Sequence, residues 1–124
     1  MKPVPARKIL IVDDSATERF FLADLLSRKG YAVVTAENGE EALSLVRQEK
    51  PSLVVMDVVM PGTSGYQATR AMARDPVTQS IPVILCTGKS AESDRIWGLR
   101  QGAREYVTKP VDPEELLAKI ASLA

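Results

Sequence analysis

Three aspartates of this sequence stand directly after apolar runs, a position that is unusual for an acid. Asp13 and Asp14 follow residues 9–12, which read ILIV, and Asp57 follows residues 53–56, which read LVVM. A carboxylate at the end of a buried strand is costly unless it is paired, bound to a metal ion or open to a cleft. If these three carboxylates meet, they repel one another, and a hard divalent cation such as Mg²⁺ would relieve the repulsion.

Two further side chains occupy comparable positions. Thr87 closes the mostly apolar stretch 81–87, and Lys109 directly follows the stretch 104–108. A carboxylate can attack phosphorus to form an acyl phosphate, and a hydroxyl and an ammonium group can hold the phosphoryl oxygens. We therefore interpret Asp57 as a nucleophile beside a metal ion, with Thr87 and Lys109 holding the new anion.

The elements that must bring these residues together are five strands alternating with five helices. N-cap residues are predicted at Ser15, Asn38, Ser90 and Asp112, and stop signals at Gly30 and Gly102. The pattern predicts strands over 8–12, 31–36, 53–57, 81–87 and 104–108, and helices over 16–29, 39–50, 66–74, 91–101 and 113–123.

This alternation predicts a parallel sheet covered by helices on both faces. Right-handed crossovers place the carboxyl ends of all five strands at one edge of the sheet. Ligands of open α/β sheets bind outside that edge. The three aspartates, Thr87 and Lys109 are therefore expected at one site.

Composition limits the function classes. The chain has 124 residues and a formal net charge of zero, which indicates one domain without a field that would attract nucleic acid or an anionic membrane. We expect a flexible arm over residues 1–7 and a folded domain over residues 8–124. No apolar stretch approaches the ~20 residues that span a bilayer, and the start lacks a signal peptide. The single Cys86 cannot form an internal disulfide, so we expect a cytoplasmic protein.

The chain contains no histidine. Ser-His and Cys-His catalysis, histidine metal ligands and a phosphohistidine intermediate are therefore excluded. A zinc site is not expected with one cysteine and no histidine. Carboxylates, hydroxyls and lysines must carry any chemistry.

Together these residues resemble the receiver domain of two-component response regulators, over residues 8–123. The resemblance rests on the Asp13-Asp14 pair, the run VVMDVVMPG around Asp57, Thr87, Tyr106 and the Lys109-Pro110 pair. It implies a flavodoxin-like (βα)5 three-layer sandwich with the parallel strand order 2-1-3-4-5.

The resemblance also implies roles for individual residues. Asp57 is the phosphoacceptor, and Mg²⁺ is held by Asp14, Asp57 and the backbone carbonyl of Val59, with Asp13 acting mostly through water. The bond between Lys109 and Pro110 is expected to be cis. In this family, a domain of this kind catalyses its own phosphorylation and slow dephosphorylation and is not a turnover enzyme.

The expected output is a conformational switch. The resemblance implies that Thr87 moves toward the phosphoryl group and that Tyr106 turns inward behind it. The face formed by the fourth helix, fifth strand and fifth helix then changes its affinity for a protein partner. A histidine kinase or a histidine phosphotransfer domain is the expected phosphodonor, and neither direct nucleic-acid binding nor membrane insertion is expected.

The chain ends with its fifth helix, so we expect a free-standing regulator, with a role in chemotaxis, type IV pilus motility or a phosphorelay. A domain cut from a longer protein is the alternative. A second alternative is a pseudo-receiver that binds partners without phosphorylation. A third is a small phosphatase of another α/β family, although such enzymes usually need a second acid two residues after the nucleophile, where this chain has Val59.

Three positions carry separate expectations. Val59 is apolar where many relatives are polar and cannot orient water, so we expect a long-lived phosphoryl group. Phe20 points away from the predicted apolar stripe of the first helix, and either contacts the phosphodonor or is partly buried under a loop. Trp97 either anchors a partner or packs its own helix. The predicted stripe comprises Phe21, Leu22, Leu25 and Leu26.

Overall fold

The computed structural model describes residues 7–124, so all but the last residue of the predicted N-terminal arm lies outside the described residues. The five strands are β1 (Lys8–Val12), β2 (Ala32–Ala36), β3 (Leu53–Asp57), β4 (Val83–Thr87) and β5 (Glu105–Thr108). The five helices are α1 (Ala16–Arg28), α2 (Gly39–Glu49), α3 (Gly65–Arg74), α4 (Glu92–Arg100) and α5 (Pro113–Leu123). The predicted order of elements is confirmed.

The helix starts agree with three of the four predicted N-caps. The side chains of Ser15, Asn38 and Asp112 each accept a hydrogen bond from a backbone N–H in the first turn of their helix. The prediction of Ser90 is wrong, because α4 has Ala91 at its N-cap, with no side-chain hydrogen bond. A capping box at the start of α3, where Ser64 and Gln67 satisfy each other's backbone N–H groups, was not predicted.

The five strands form one parallel sheet in the order β2-β1-β3-β4-β5, as predicted. β4 begins two residues later than predicted. Pro82 has no N–H to donate to the ladder, and its carbonyl oxygen accepts a hydrogen bond from the Val54 N–H just outside the strand.

Alternate side chains of the central strands point to opposite faces, so the sheet separates two apolar clusters. In β3, Val54 and Met56 belong to the cluster under α2, α3 and α4, whereas Leu53 and Val55 belong to the cluster under α1 and α5. All five residues of β3 are buried. A strand buried on both faces explains the uninterrupted apolar run LVVM.

The apolar stripe that α1 buries against the sheet contains fewer residues than predicted. Leu22 and Leu26 are fully buried against the sheet, and Leu25 is half-buried. Phe21 is exposed, so its assignment to the core stripe is wrong: it lies at the edge of the helix, beside Lys109 and Pro110. Among residues 7–124, no helix is long and apolar enough to cross a bilayer.

Candidate functional site

The carboxyl ends of β1 and β3 bring the three predicted aspartates together. One carboxylate oxygen each from Asp13, Asp14 and Asp57 lies within 4.8 Å of the other two. Asp13 and Asp57 are buried, with Asp57 8% exposed, and Asp14 opens to solvent. The cluster exists because β1 and β3 are adjacent and parallel, with Val12 opposite Met56 in the register.

Lys109 connects two of these acids. Its Nζ atom lies 3.0 Å from Oδ2 of Asp13 and 3.6 Å from Oδ1 of Asp57. The Lys109 N–H donates to the carbonyl oxygen of Thr87 over 2.7 Å, which ties the loop after β5 to the end of β4. The bond from Lys109 to Pro110 is cis, as the resemblance implied.

The site shifts the acid–base properties of Asp57 and Lys109. Burial raises the pKa of Asp57 to about 6; the nearby Asp13 carboxylate acts in the same direction, and the charge of Lys109 opposes both. Burial acts to lower the pKa of Lys109, but its hydrogen bond to Asp13 and the charges of Asp57 and Asp13 raise it overall. The pocket therefore contains more negative charge than one ammonium group can balance.

This donor set fits a hard divalent cation. The three acids supply oxygen ligands, which Mg²⁺ prefers, and the exposure of Asp14 leaves a side open for the waters that this ion usually keeps. Burial and the neighbouring Asp13 carboxylate raise the pKa of Asp57, and a cation bound between the acids would oppose both effects. Val59 follows two residues after Asp57, and its side chain is 60% exposed.

Thr87 and Tyr106 lie behind the acidic site, on neighbouring strands. Thr87 is buried, and its Oγ1 accepts a 3.3 Å hydrogen bond from the Lys89 N–H. Tyr106 is also buried, and its hydroxyl donates to the carbonyl oxygen of Lys89 over 2.8 Å. The first turn after β4 therefore has contacts with both predicted switch residues.

Two contacts that support the acidic site were not predicted from the sequence. Arg19 on α1 donates from Nη1 to the carbonyl oxygen of Asp13 over 2.8 Å and so supports the backbone that carries the acid pair. Gly65 packs so closely against the end of β3 that a Cβ would lie 2.2 Å from the Asp57 carbonyl oxygen. No local signal in the sequence points to either contact, because each joins residues from different elements.

A third missed contact stabilises the loop between β3 and α3. Glu40, in the first turn of α2, accepts hydrogen bonds from the Oγ1 and N–H of Thr63 at 2.6 and 3.2 Å. The side-chain hydrogen bond from Thr63 lowers the pKa of Glu40. The carboxylate therefore joins the start of α2 to the loop that follows Asp57.

Phe20 is 76% exposed on α1, so the prediction that it points away from the core is confirmed and partial burial under a loop is excluded. Next to it, Phe21, Lys109 and Pro110 line a cleft of about 330 Å³ beside the acidic site. The aromatic surface of α1 is thus close to the edge where the aspartates open to solvent.

Known proteins share this architecture. The family model "Response regulator receiver domain" matches residues 9–121. Protein PilH of Pseudomonas aeruginosa is 55% identical over 113 residues, which cover 91% of this chain and 93% of PilH. The solved structure of the chemotaxis protein CheY4 of Vibrio cholerae has a TM-score of 0.90 at 28% identity and covers 96% of this chain and 99% of that one.

Other curated relatives are longer than the matched region. The phosphate regulon transcriptional regulatory protein PhoB of Pseudomonas aeruginosa is 41% identical over 117 residues, which cover 94% of this chain and 51% of PhoB. The chain thus spans nearly all of PilH and about half of PhoB.

Proposed function

The chain belongs to the response regulator receiver domain family, and on this premise we propose that it accepts a phosphoryl group on Asp57 and transmits the change to a protein partner. The observation that carries the proposal is the buried Asp57 carboxylate, which shares a pocket with two further acids and lies 3.6 Å from the Lys109 ammonium group. A family match alone would not distinguish an active receiver from a degenerate one. The complete set of side chains supports the active form.

In the proposed reaction, an oxygen of the Asp57 carboxylate attacks the phosphorus of a phosphohistidine on the donor protein. The phosphorus–nitrogen bond breaks, and its electron pair remains on the imidazole nitrogen, which then takes a proton from water. The product is an acyl phosphate on Asp57. Hydrolysis reverses the modification: water attacks phosphorus, the carboxylate leaves with the electrons of the phosphorus–oxygen bond, and inorganic phosphate is released.

The residues around Asp57 have separate tasks. Lys109 neutralises charge on the phosphoryl oxygens, and Thr87 donates a hydrogen bond to one of them after moving toward the site. Asp13, Asp14, Asp57 and the carbonyl of Val59 would hold Mg²⁺, and the bound ion would screen the carboxylates and the incoming anion. Arg19 keeps the Asp13 backbone in place through its 2.8 Å hydrogen bond.

The conformational change that a partner would sense follows from the contacts of Thr87 and Tyr106. If Thr87 moves toward a phosphoryl group, its bond from the Lys89 N–H is broken and the loop after β4 shifts. Tyr106 contacts the same loop, so the change reaches the face formed by α4, β5 and α5. Phosphorylation would raise the population of one form of this face and thereby change partner affinity.

We propose a histidine kinase or a histidine phosphotransfer domain as donor, and a protein target on the α4-β5-α5 face. The similarity to PilH along nearly its whole length supports a free-standing regulator, and the similarity to the chemotaxis protein CheY4 supports a role in motility. The protein acts as a phosphoacceptor whose own pocket promotes transfer and slow hydrolysis, without turnover of a separate substrate.

The test is phosphorylation by acetyl phosphate with Mg²⁺, followed by intact-protein mass spectrometry. We expect one added phosphoryl group in the wild type and none in Asp57→Asn. The control variant is Asp24→Asn, which removes an exposed acid of α1 paired with Arg28. It should be labelled like the wild type.

Three results would contradict the proposal. No added mass in the wild type would favour the pseudo-receiver, and labelling that persists in Asp57→Asn would place the modification elsewhere. Steady release of phosphate from a phosphate ester, without accumulation of labelled protein, would favour a phosphatase.

A further inference from the structure

A cleft of about 410 Å³ lies between α3 and α4, away from the acidic site. Both helices run antiparallel to the strands, so their C-terminal ends lie at the sheet edge opposite the aspartates. The cleft is lined by Arg70 and Arg74 of α3 and by Trp97 and Arg100 of α4. We call these four residues and the space between them the arginine cleft.

The three arginines lack partners within the part of the chain that the structure describes. No carboxylate of residues 7–124 forms an ion pair with any of them, and their guanidinium groups donate no hydrogen bond there. The other arginines of the helices do contact acids: Arg19, Arg28, Arg47 and Arg95 each form an ion pair. Asp75, the neighbour of Arg74 in the chain, pairs with Arg47 instead.

Helix ends do not explain the whole cluster. Arg74 and Arg100 are the last residues of their helices, where a cation interacts favourably with the helix dipole. Arg70 lies one turn earlier and receives little of that benefit. Three guanidinium groups that line one cleft repel one another, and an anion bound between them would remove this cost.

One aromatic side chain, that of Trp97, lines the cleft together with the three arginines. Trp97 is 50% exposed, although its indole is the largest apolar surface in the sequence. Gly102, with a φ of 114°, allows the end of α4 to approach α3: a Cβ there would lie 2.9 Å from the Cβ of Ala73. The indole therefore stands beside the guanidinium groups at the mouth of a formed cleft.

We propose that the arginine cleft binds a nucleotide. Guanidinium groups match phosphate oxygens by bidentate hydrogen bonds, and the indole offers a flat face on which a base can stack. The volume lies in the range of small-molecule sites. Neither phosphorylation of Asp57 nor Mg²⁺ is needed for this binding. The nucleotide would therefore be a second signal, separate from phosphorylation, to which the protein responds.

The test is titration of the purified protein with ATP and GTP in buffer that contains a chelator, by calorimetry and by tryptophan fluorescence. Trp97 is the only tryptophan, so its emission reports on the cleft directly. We expect nucleotide binding that changes the emission. Tripolyphosphate, which has no base, should bind about fivefold or more weakly, and adenosine, which has no phosphate, should not bind measurably.

The variants Arg70→Gln, Arg74→Gln and Arg100→Gln should each weaken nucleotide binding about fivefold or more, because each removes a charge-assisted hydrogen bond. The matched control is Arg95→Gln on α4, which pairs with Glu92 outside the cleft and should bind like the wild type. Asp57→Asn should also bind normally, which separates this site from the phosphoryl acceptor.

Several results would overturn the proposal. The first is that neither nucleotide binds at millimolar concentration. The second is that tripolyphosphate binds as tightly as ATP. The third is that replacing all three arginines leaves the affinity for nucleotide unchanged. Heat of binding without a change in Trp97 emission would place the nucleotide elsewhere and would equally overturn it.

Discussion

The hydroxyl of Tyr106 donates a 2.8 Å hydrogen bond to the carbonyl oxygen of Lys89, and so joins β5 to the loop that follows β4. Burial raises the pKa of Tyr106, so its hydroxyl stays protonated and able to donate well above neutral pH. The ring of Tyr106 is buried, so it already lies in the inward position that the family resemblance associates with the switched state. The bond gives the loop a defined position that a movement of Thr87 would have to change.

Replacing Tyr106 by phenylalanine should lower the free energy of unfolding by about 1 kcal/mol, because the Lys89 carbonyl loses its donor while the ring remains. Urea denaturation monitored by circular dichroism measures this difference. The control is Tyr31→Phe, since the structure gives the Tyr31 hydroxyl no partner among residues 7–124. Equal stability of the two variants would show that the Tyr106 bond contributes nothing net.

Asp57→Asn should stabilise the metal-free protein at neutral pH. The pKa of Asp57 is raised from 3.8 to about 6 by burial in the folded state, so ionisation opposes folding. Two pKa units correspond to about 3 kcal/mol, and we expect a gain of about 1–3 kcal/mol at pH 7.5 in a chelator.

The pH dependence gives this prediction its sign. Well below pH 3.8 the carboxyl is protonated in both the folded and the unfolded state, so its contribution to stability is absent. As pH rises from about 4 to 6, the unfolded chain loses the proton first, and the wild type becomes less stable relative to the variant. Unfolding curves at pH 4 and 7.5 test this. A gain of equal size at both pH values, or the same gain in Asp24→Asn, would refute the electrostatic explanation.

The phosphoryl group should persist longer in the wild type than in Val59→Asn. The Val59 side chain is exposed beside the site but cannot hydrogen-bond a water, whereas an amide can orient one for attack on phosphorus. We expect hydrolysis about tenfold faster in the variant, measured as the decay of ³²P label after removal of the donor. Val77→Asn, at an exposed valine outside the site, is the control and should decay like the wild type. Equal decay of all three proteins would count against this role of Val59.

Phe20→Ala should slow phosphotransfer from a protein donor by about tenfold without slowing phosphorylation by acetyl phosphate. Phe20 is 76% exposed on α1, the helix that follows the Asp13-Asp14 pair. An exposed aromatic side chain at this position can contact a donor protein but has no contact to make with a small molecule. Ile96→Ala, at an exposed apolar residue of α4, is the control. Equal slowing with both donors would indicate damage to the site itself and would contradict a docking role.

Much of this protein follows from its sequence alone. Apolar runs of four or five residues, turn residues and N-cap residues are local signals, and they predicted all ten elements in the right order. The alternation of strand and helix then predicted a parallel sheet, and the family resemblance predicted the order of its strands. Because parallel strands end at one edge, the positions of Asp13, Asp14 and Asp57 in the sequence were enough to predict that they meet.

The tertiary structure decided the contacts between side chains of different elements. Nothing local to Lys109 shows that it lies 3.0 Å from Asp13, or that Arg19 supports the Asp13 backbone. The exposure of Phe21 depends on how α1 lies on the sheet, and the arginine cleft depends on how closely α3 approaches α4. Local propensity sets which element a residue joins, but distances between elements follow from how their side chains pack, and that packing is a property of the whole chain.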